Sequence, residues 1–155
     1  MGIIRENYRK LTERRLWAYS DIKVKIARDM QDIEDLKREK YLKHSGDIVR
    51  ITDIGTLRVT LEEVHQIRIA KAQAEVDECR REVERLESLV GSISDEPYAN
   101  IIPLKFFQRL SEQAIALRLN CDISTVYRHK TKLLGKLAIR LYGVRALDSI
   151  GDEIA

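Results

Sequence analysis

The sequence predicts an all-α protein with a long helical hairpin or coiled-coil stalk, followed by a C-terminal helix-turn-helix domain. Glycine (7) and proline (2) are scarce among the 155 residues, so the chain lacks the turn residues that a many-stranded sandwich or barrel needs. Apolar residues recur every three or four positions along most of the chain, which is the helical period. The composition, 44% hydrophobic and 34% charged, is typical of a folded soluble protein.

Residues 1–90 are predicted to form the helical stalk, with helices at about 3–19, 21–42 and 60–90. Ser20 and Asp21 are both good N-cap residues, so we expect a break between the first two helices there. Residues 43–59 contain β-branched residues around a possible turn, and are interpreted as a loop or a small β-hairpin. Thr60 and Glu63 match the capping-box pattern that begins a helix, and Gly91 is suited to ending it.

A heptad stripe runs along the 60–90 helix and predicts one narrow apolar seam. Two interpretations stay open: an intramolecular antiparallel hairpin with the 21–42 helix, or a seam that also supports a homodimer. The seam residues are Ile69, Ala72, Val76, Cys79, Val83, Leu86 and Val90.

Charge and turn residues divide the rest of the chain. Residues 91–96 combine glycine, serines and acids and are predicted to be a linker, before a domain at 97–145 and an acidic tail at 146–155. Within 100–145, Lys and Arg outnumber Asp and Glu by nine to two, whereas within 60–99 the acids outnumber the bases by ten to five. A compact basic segment beside an acidic one is typical of a nucleic-acid-binding module attached to a stalk, although a solvated helix face would give the same charge.

Residues 111–141 divide into two short helices with a three-residue connection, which is a helix-turn-helix pattern. Asn120 tolerates the left-handed conformation that the turn needs, and Asp122 is suited to capping the second helix. Ile115, Ala116 and Leu119 are expected on the inner face of the first helix, and Val126, Leu133 and Leu137 on that of the second.

The outer side of the second helix has the residue types that read base edges in the major groove of double-stranded DNA. The predicted base-reading residues are Ser124, Thr125, Tyr127, Arg128 and Thr131. Cations around that helix are expected to contact phosphates, and these are Arg109, Arg118, Lys130, Lys132 and Lys136. A helical bundle with an incidentally basic face is the alternative.

Residues 110–143 resemble the region-4 helix-turn-helix of bacterial sigma factors. Ile115-Ala116 and Ser124-Thr125-Val126 stand at the positions of that motif, while Asn120 replaces its usual turn glycine and Lys130 stands where a leucine is often buried. The layout of the whole chain is similar to that of small phage and prophage regulators of the RinA/ArpU kind. The resemblance implies a bacterial cytoplasmic activator of late phage genes that contacts promoter DNA and the host RNA polymerase.

Other functions are less well supported by the sequence. A small-terminase-like DNA-packaging protein is the main alternative, although its DNA-binding domain usually comes first in the chain, and a helical adaptor without nucleic acid is another. No nucleophile motif, paired carboxylates or metal-ligand spacing is present in the sequence, so we expect no enzyme activity, no catalytic residue, no metal and no cofactor. No apolar run or secretory signal indicates a membrane role.

Overall fold

The computed structural model describes residues 7–39, 48–50 and 58–150. The predicted all-α class is confirmed, with one small two-stranded ribbon in addition. The elements are α1 (Tyr8–Glu39), β1 (Ile48–Arg50), β2 (Arg58–Thr60), α2 (Leu61–Gly91), a π-helical turn (Pro103–Phe107), α3 (Glu112–Leu119), α4 (Ile123–Tyr142) and α5 (Val144–Ile150). None of the helices in these ranges has the length and apolar character needed to span a bilayer.

Helix α1 is continuous, so the break predicted at Ser20-Asp21 is wrong. The helix begins after Asn7, whose side-chain oxygen accepts the Lys10 backbone N–H at 3.1 Å. Ser20 does not cap a helix, because its hydroxyl donates to the Phe107 carbonyl at 3.2 Å. The Asp21 carboxylate likewise accepts from Arg109. Tertiary partners thus engage the two side chains that sequence reasoning assigned to capping.

The region between α1 and α2 contains the small hairpin that was one of the two interpretations of 43–59. Strands β1 and β2 pair antiparallel, with Val49 opposite Val59. The possible turn within 43–59, which the sequence places at Asp53-Ile54-Gly55-Thr56, lies outside the described residues, as do 3–6 and 40–42 of the predicted helices. The capping box at the start of α2 is confirmed, since Glu63 accepts the Thr60 N–H at 3.1 Å and donates its own N–H to the Thr60 hydroxyl at 3.2 Å.

The chain divides into two compact units that differ from the predicted stalk and head. Unit 1 comprises Met1–Asp21 and Val83–Ala155, and unit 2 comprises Ile22–Glu82. Helices α1 and α2 therefore each contribute residues to both units. The boundary predicted at 91–96 is wrong, because that segment belongs to unit 1.

One buried residue and two side-chain contacts explain why residues 92–96 are not a free linker. Ile93 is fully buried. Arg140 of α4 donates to the Ser92 hydroxyl at 2.8 Å, and Lys136 of α4 pairs with Glu96. The segment is thereby held along one side of α4.

The seam residues of α2 are all buried or half-buried. In unit 2, Val76 is fully buried and Ile69, Ala72 and Cys79 are half-buried, while in unit 1 Val83 and Leu86 are buried and Val90 is half-buried. Within unit 2, Ile33 of α1 is buried as well, and the Arg80 guanidinium of α2 lies 3.0 Å from the Met30 sulfur of α1.

The aromatic residues of α1 pack on the π-helical turn inside unit 1. Trp17 meets Phe106 edge to face at 5.2 Å, and Tyr19 stacks on Phe107 at 3.8 Å between ring centroids. The Tyr19 hydroxyl donates to Glu87 at 2.6 Å. Burial, together with the hydrogen bond and the charge of Glu87, raises the pKa of Tyr19 to about 12.

The segment predicted to be an acidic tail begins as helix α5. Ala146 is fully buried and packs with Ala138 of α4 in a small cluster that also includes Tyr8 and Tyr142. Gly143 connects α4 to α5 at φ 67°. Residues 151–155 of the predicted tail lie outside the described part of the chain.

Candidate nucleic-acid interface

A short turn joins α3 to α4 in unit 1. Ser111 caps α3, since its hydroxyl accepts the Ala114 N–H at 3.2 Å. Beyond the end of α3, Asn120 adopts the left-handed conformation with φ 52° and ψ 52°. The Cys121 N–H then returns to the Ala116 carbonyl at 3.0 Å, and the Asn120 N–H donates to the Leu117 carbonyl at 3.3 Å. These two bonds form a Schellman motif with Asn in the place of the usual glycine.

Helix α4 begins directly after that turn. Asp122 has the extended backbone of an N-cap residue, with φ −74° and ψ 149°, although its side chain makes no capping bond. Its carbonyl accepts the Thr125 and Val126 N–H groups at 3.0 and 3.2 Å. The predicted roles of Asn120 in the turn and of Asp122 at the helix start are therefore confirmed at the level of the backbone.

The inner faces of α3 and α4 pack on a core built from three segments. The predicted inner residues Ile115, Ala116, Val126, Leu133 and Leu137 are all buried, and Leu119 is half-buried. The segment before α3 contributes further buried apolar residues to the same cluster, Ile101 and Leu104. With this face of α4 held against a core, its opposite face is turned to solvent.

The predicted base-reading residues lie on the solvent side of α4. Ser124, Tyr127, Arg128 and Thr131 are exposed, and Thr125 is half-buried. One face of one helix therefore carries a guanidinium group and several hydroxyls within its first three turns.

The five predicted phosphate-contacting cations fall into two groups. Arg118 and Lys132 are exposed and have no hydrogen-bond or ion-pair partner in the described ranges. Arg109 donates to Asp21 at 3.0 Å and to the Trp17 carbonyl at 3.1 Å, and Lys136 pairs with Glu96. Lys130 is engaged more deeply, with only 15% of its side chain exposed.

Lys130 belongs to an ion cluster between α3 and α4. Its ammonium lies 3.1 Å from Glu112, which also binds Lys105 at 3.0 Å. Burial raises the pKa of Glu112, but hydrogen bonds from Lys105, from its own backbone N–H and from Lys130 outweigh that effect, and the pKa falls to about 2. The prediction that Lys130 contacts phosphate is therefore not supported, because its charge is already matched by a carboxylate inside the unit.

The side of α4 next to the 92–98 segment carries a histidine. Tyr98 packs against His129 with 4.6 Å between ring centroids, and its φ of 57° is one that residues other than glycine rarely adopt. Burial lowers the pKa of His129, and the positive charges of Arg128 and Lys132 lower it further. A lowered pKa favours the neutral imidazole, so the exposed positive charge on this part of α4 comes from Arg128 and Lys132.

Sequence reasoning missed several residues of this surface. Glu112 and Lys105 are 18 and 25 positions from Lys130, so no local pattern indicates their ion cluster. Tyr98 was assigned to no contact, and Ile123, exposed at the start of α4, was not counted among the base-reading residues. For Ile123 a signal was available, since the first residue of a helix that enters a groove is near the bases.

Comparison with protein-family models, curated proteins and solved structures found no match to this chain.

Proposed function

We propose that the chain is a sequence-specific DNA-binding transcriptional regulator in which α3, the Asn120 turn and α4 form a helix-turn-helix. The observation that carries the proposal is the two-sided character of α4. Its buried face packs on a three-segment core, and its exposed face presents hydroxyls and two cations, Arg128 and Lys132, that have no ion-pair partner among the residues the structure describes. A helix of this kind fits the major groove of B-form DNA, which admits one α-helix.

Base reading is assigned to the exposed residues of the first three turns of α4. Arg128 can form two hydrogen bonds to a guanine, and Ser124 and Thr131 can bond to several bases. Ser124, Arg128 and Thr131 follow one another at intervals of four and three residues, so they share one face of the helix.

Phosphate contacts are assigned first to Arg118 and Lys132, which have no hydrogen-bond or ion-pair partner within the described part of the chain. Arg109 and Lys136 are retained as a second group, because exposed ion pairs are worth about 0–1 kcal/mol and a phosphate can replace the carboxylate. Lys130 is removed from this set, since its partner Glu112 is largely buried.

The sequence resemblance to sigma region 4 and to regulators of the RinA/ArpU kind supports a phage or prophage origin and activation of late genes with the host RNA polymerase. The seam of α2 is buried or half-buried within a single chain, which favours the intramolecular interpretation of that stripe, so the homodimer, in which two copies would read two half-sites, is proposed from the resemblance alone. Mass measurement in solution tests the homodimer, and transcription from the bound promoter by purified polymerase, with and without the protein, tests activation.

DNA binding is tested by comparing two variants of α4, Arg128→Ala and Lys132→Ala. A duplex selected by the full-length protein from a random library serves as the cognate site, and a scrambled duplex serves as the control. Arg128→Ala should lower the discrimination between the two duplexes by about 1–3 kcal/mol, because it removes a base contact. Lys132→Ala should weaken binding to both alike and reduce the salt slope by about 1.

The proposed DNA-binding function would be contradicted if the wild type bound neither duplex, or if its affinity did not depend on salt. Lys130→Gln is the matched control, since it removes a cation of the same helix that the proposal assigns to no phosphate. It should change the salt slope less than Lys132→Ala does.

A further inference from the structure

Two apolar side chains are exposed among the polar residues at the start of α4. Ile123 is the first residue of the helix and is 39% exposed, and Tyr127 is 48% exposed. They are four residues apart, so they lie on the same side of the helix one turn from each other. Together they form a small apolar surface, the Ile123–Tyr127 pair.

This pair does not belong to the core of unit 1. The cluster beneath α3 and α4 is built from Ile101, Leu104, Ile115, Ala116 and Val126, with partly buried residues around it, and it includes neither member of the pair. Folding of this cluster therefore does not account for an isoleucine and a tyrosine at these positions.

The Tyr127 ring is held in place by the ion cluster described above. The Lys130 ammonium lies 5.1 Å from the ring centroid, within the range of a cation–π contact. Glu112 fixes the position of that ammonium, and the ammonium in turn restricts the Tyr127 ring. The Tyr127 side chain therefore loses little conformational entropy on binding.

The surroundings of the pair indicate what kind of ligand contacts it. Ser124 and Arg128 follow its two members directly in sequence and are exposed, and segment 100–145 is strongly basic. This charge is complementary to an anionic surface. The major groove of DNA combines such a surface with one apolar group, the C5 methyl of thymine, which isoleucine and aromatic side chains can contact.

We propose that the Ile123–Tyr127 pair reads thymine by contact with its C5 methyl group, so that the site preferred by this protein contains thymine opposite the start of α4. This inference rests on the proposed DNA-binding function and specifies the chemistry that part of the interface recognises. Two kinds of base contact are thereby assigned to α4: apolar contacts from Ile123 and Tyr127, and hydrogen bonds from Arg128 and Thr131.

The test replaces thymine by uracil in the duplex selected by the full-length protein, one position at a time. Uracil keeps every hydrogen-bonding group of thymine and lacks only the methyl. A contacted methyl should give about fourfold weaker binding when it is removed, as expected from the burial of one such group. Ile123→Ala or Tyr127→Ala should bind the thymine duplex more weakly and abolish the difference between thymine and uracil at one or more of those positions.

Val144→Ala is the matched control, because Val144 is 77% exposed and lies beyond the opposite end of α4, at the start of α5. It should keep the wild-type ratio between the thymine and uracil duplexes. Thermal unfolding of each variant verifies that the fold is retained, which is expected because the side chains removed are exposed.

The possible failures are distinguishable. Equal binding of thymine and uracil duplexes by the wild type would overturn the thymine contact and leave the DNA-binding function in place. An unchanged ratio in both variants of the pair would overturn the assignment to these residues, and it would favour a protein-docking surface if the same variants lost a protein partner. Absence of any duplex binding would instead overturn the proposed function.

Discussion

The Lys105–Glu112–Lys130 cluster shows how one carboxylate can decide the role of two cations. Glu112 lies 3.0 and 3.1 Å from the two ammonium groups and is 17% exposed. At that degree of burial an unmatched charge costs much more than at the surface. The cluster consequently joins the segment before α3, α3 itself and α4, and it withdraws Lys130 from the solvent face.

Glu112 should make the stability of unit 1 depend on acid. Its pKa is about 2 in the folded protein and 4.5 in the reference state, so the unfolded chain takes up a proton first as the pH falls. The stabilisation is complete above pH 4.5 and is lost between pH 4.5 and 2. Glu112→Gln should lower the free energy of unfolding by about 1–3 kcal/mol at pH 7 and flatten the profile in that window. Denaturant unfolding across this pH range measures both effects.

Glu84→Gln is the control for this experiment, since Glu84 is exposed in α2 and has no hydrogen-bond or ion-pair partner in the described ranges. Glu84→Gln should lose stability between pH 4.5 and 2 as the wild type does. A Glu112→Gln profile that still falls between pH 4.5 and 2 as steeply as the wild type would contradict the assignment.

Single residues differ in how well the sequence predicts them. Asn120 was predicted to adopt the left-handed conformation and does so, because few residue types tolerate it and a turn was required there. Tyr98 and Arg109 have φ of 57° as well, but tyrosine and arginine give no such signal. Their conformations depend on surrounding packing rather than on local propensity.

Among the elements, α2 was predicted almost to its ends and α1 was not. The signals of α2 are local, a capping box at Thr60 and a glycine at its end. In α1 the side chains of Ser20 and Asp21 bond to residues nearly 90 positions away. Capping propensity cannot reveal such distant partners. The prediction therefore placed a break at Ser20-Asp21, where α1 is continuous.

The junction between α4 and α5 should depend on glycine, whereas the end of α2 should not. Gly143 has φ 67° and ψ −139°, which side-chain-bearing residues rarely adopt, while Gly91 is helical and a Cβ there meets open space. We expect Gly143→Ala to destabilise unit 1 by about 1–2 kcal/mol. Gly91→Ala should be neutral or stabilise by up to about 1 kcal/mol.

Thermal and denaturant unfolding of the two variants measures the change in the free energy of unfolding, which is expected to have opposite signs. Each acts as the control for the other, since the same methyl group is added at a helix end in both. Equal stability of Gly143→Ala and the wild type would mean that the junction adopts another backbone conformation.

At the scale of the molecule, the two compact units do not follow one another along the chain, because one of them is built from two separate segments. Unit 1 is assembled from Met1–Asp21 and Val83–Ala155, with Ile22–Glu82 between them as unit 2. Composition suggested a boundary at 91–96, because linkers and exposed turns use the same residue types. The burial of Ile93 and the bonds of Arg140 and Lys136 to this segment could not be recognised in the sequence.

A fragment of residues 92–155, cut at the predicted linker, should therefore not fold cooperatively. It lacks Trp17 and Tyr19, the partners of Phe106 and Phe107, and the buried Leu86. Circular dichroism should show a broad thermal transition instead of the sharp one expected for the intact chain. A sharp transition within a few degrees of that of the full-length protein would show that the α1 contacts are dispensable.

The split composition of unit 1 also affects how the protein is made. Residues up to Asp21 leave the ribosome before Phe106 and Phe107, which follow only after the whole of Ile22–Glu82 has been translated. At ordinary elongation rates the 84 residues between Asp21 and Phe106 take about 4–17 s. Throughout that interval, the apolar core that buries Leu16 in unit 1 is incomplete, so α1 emerges as an apolar surface that a chaperone can bind before α3 and α4 are translated.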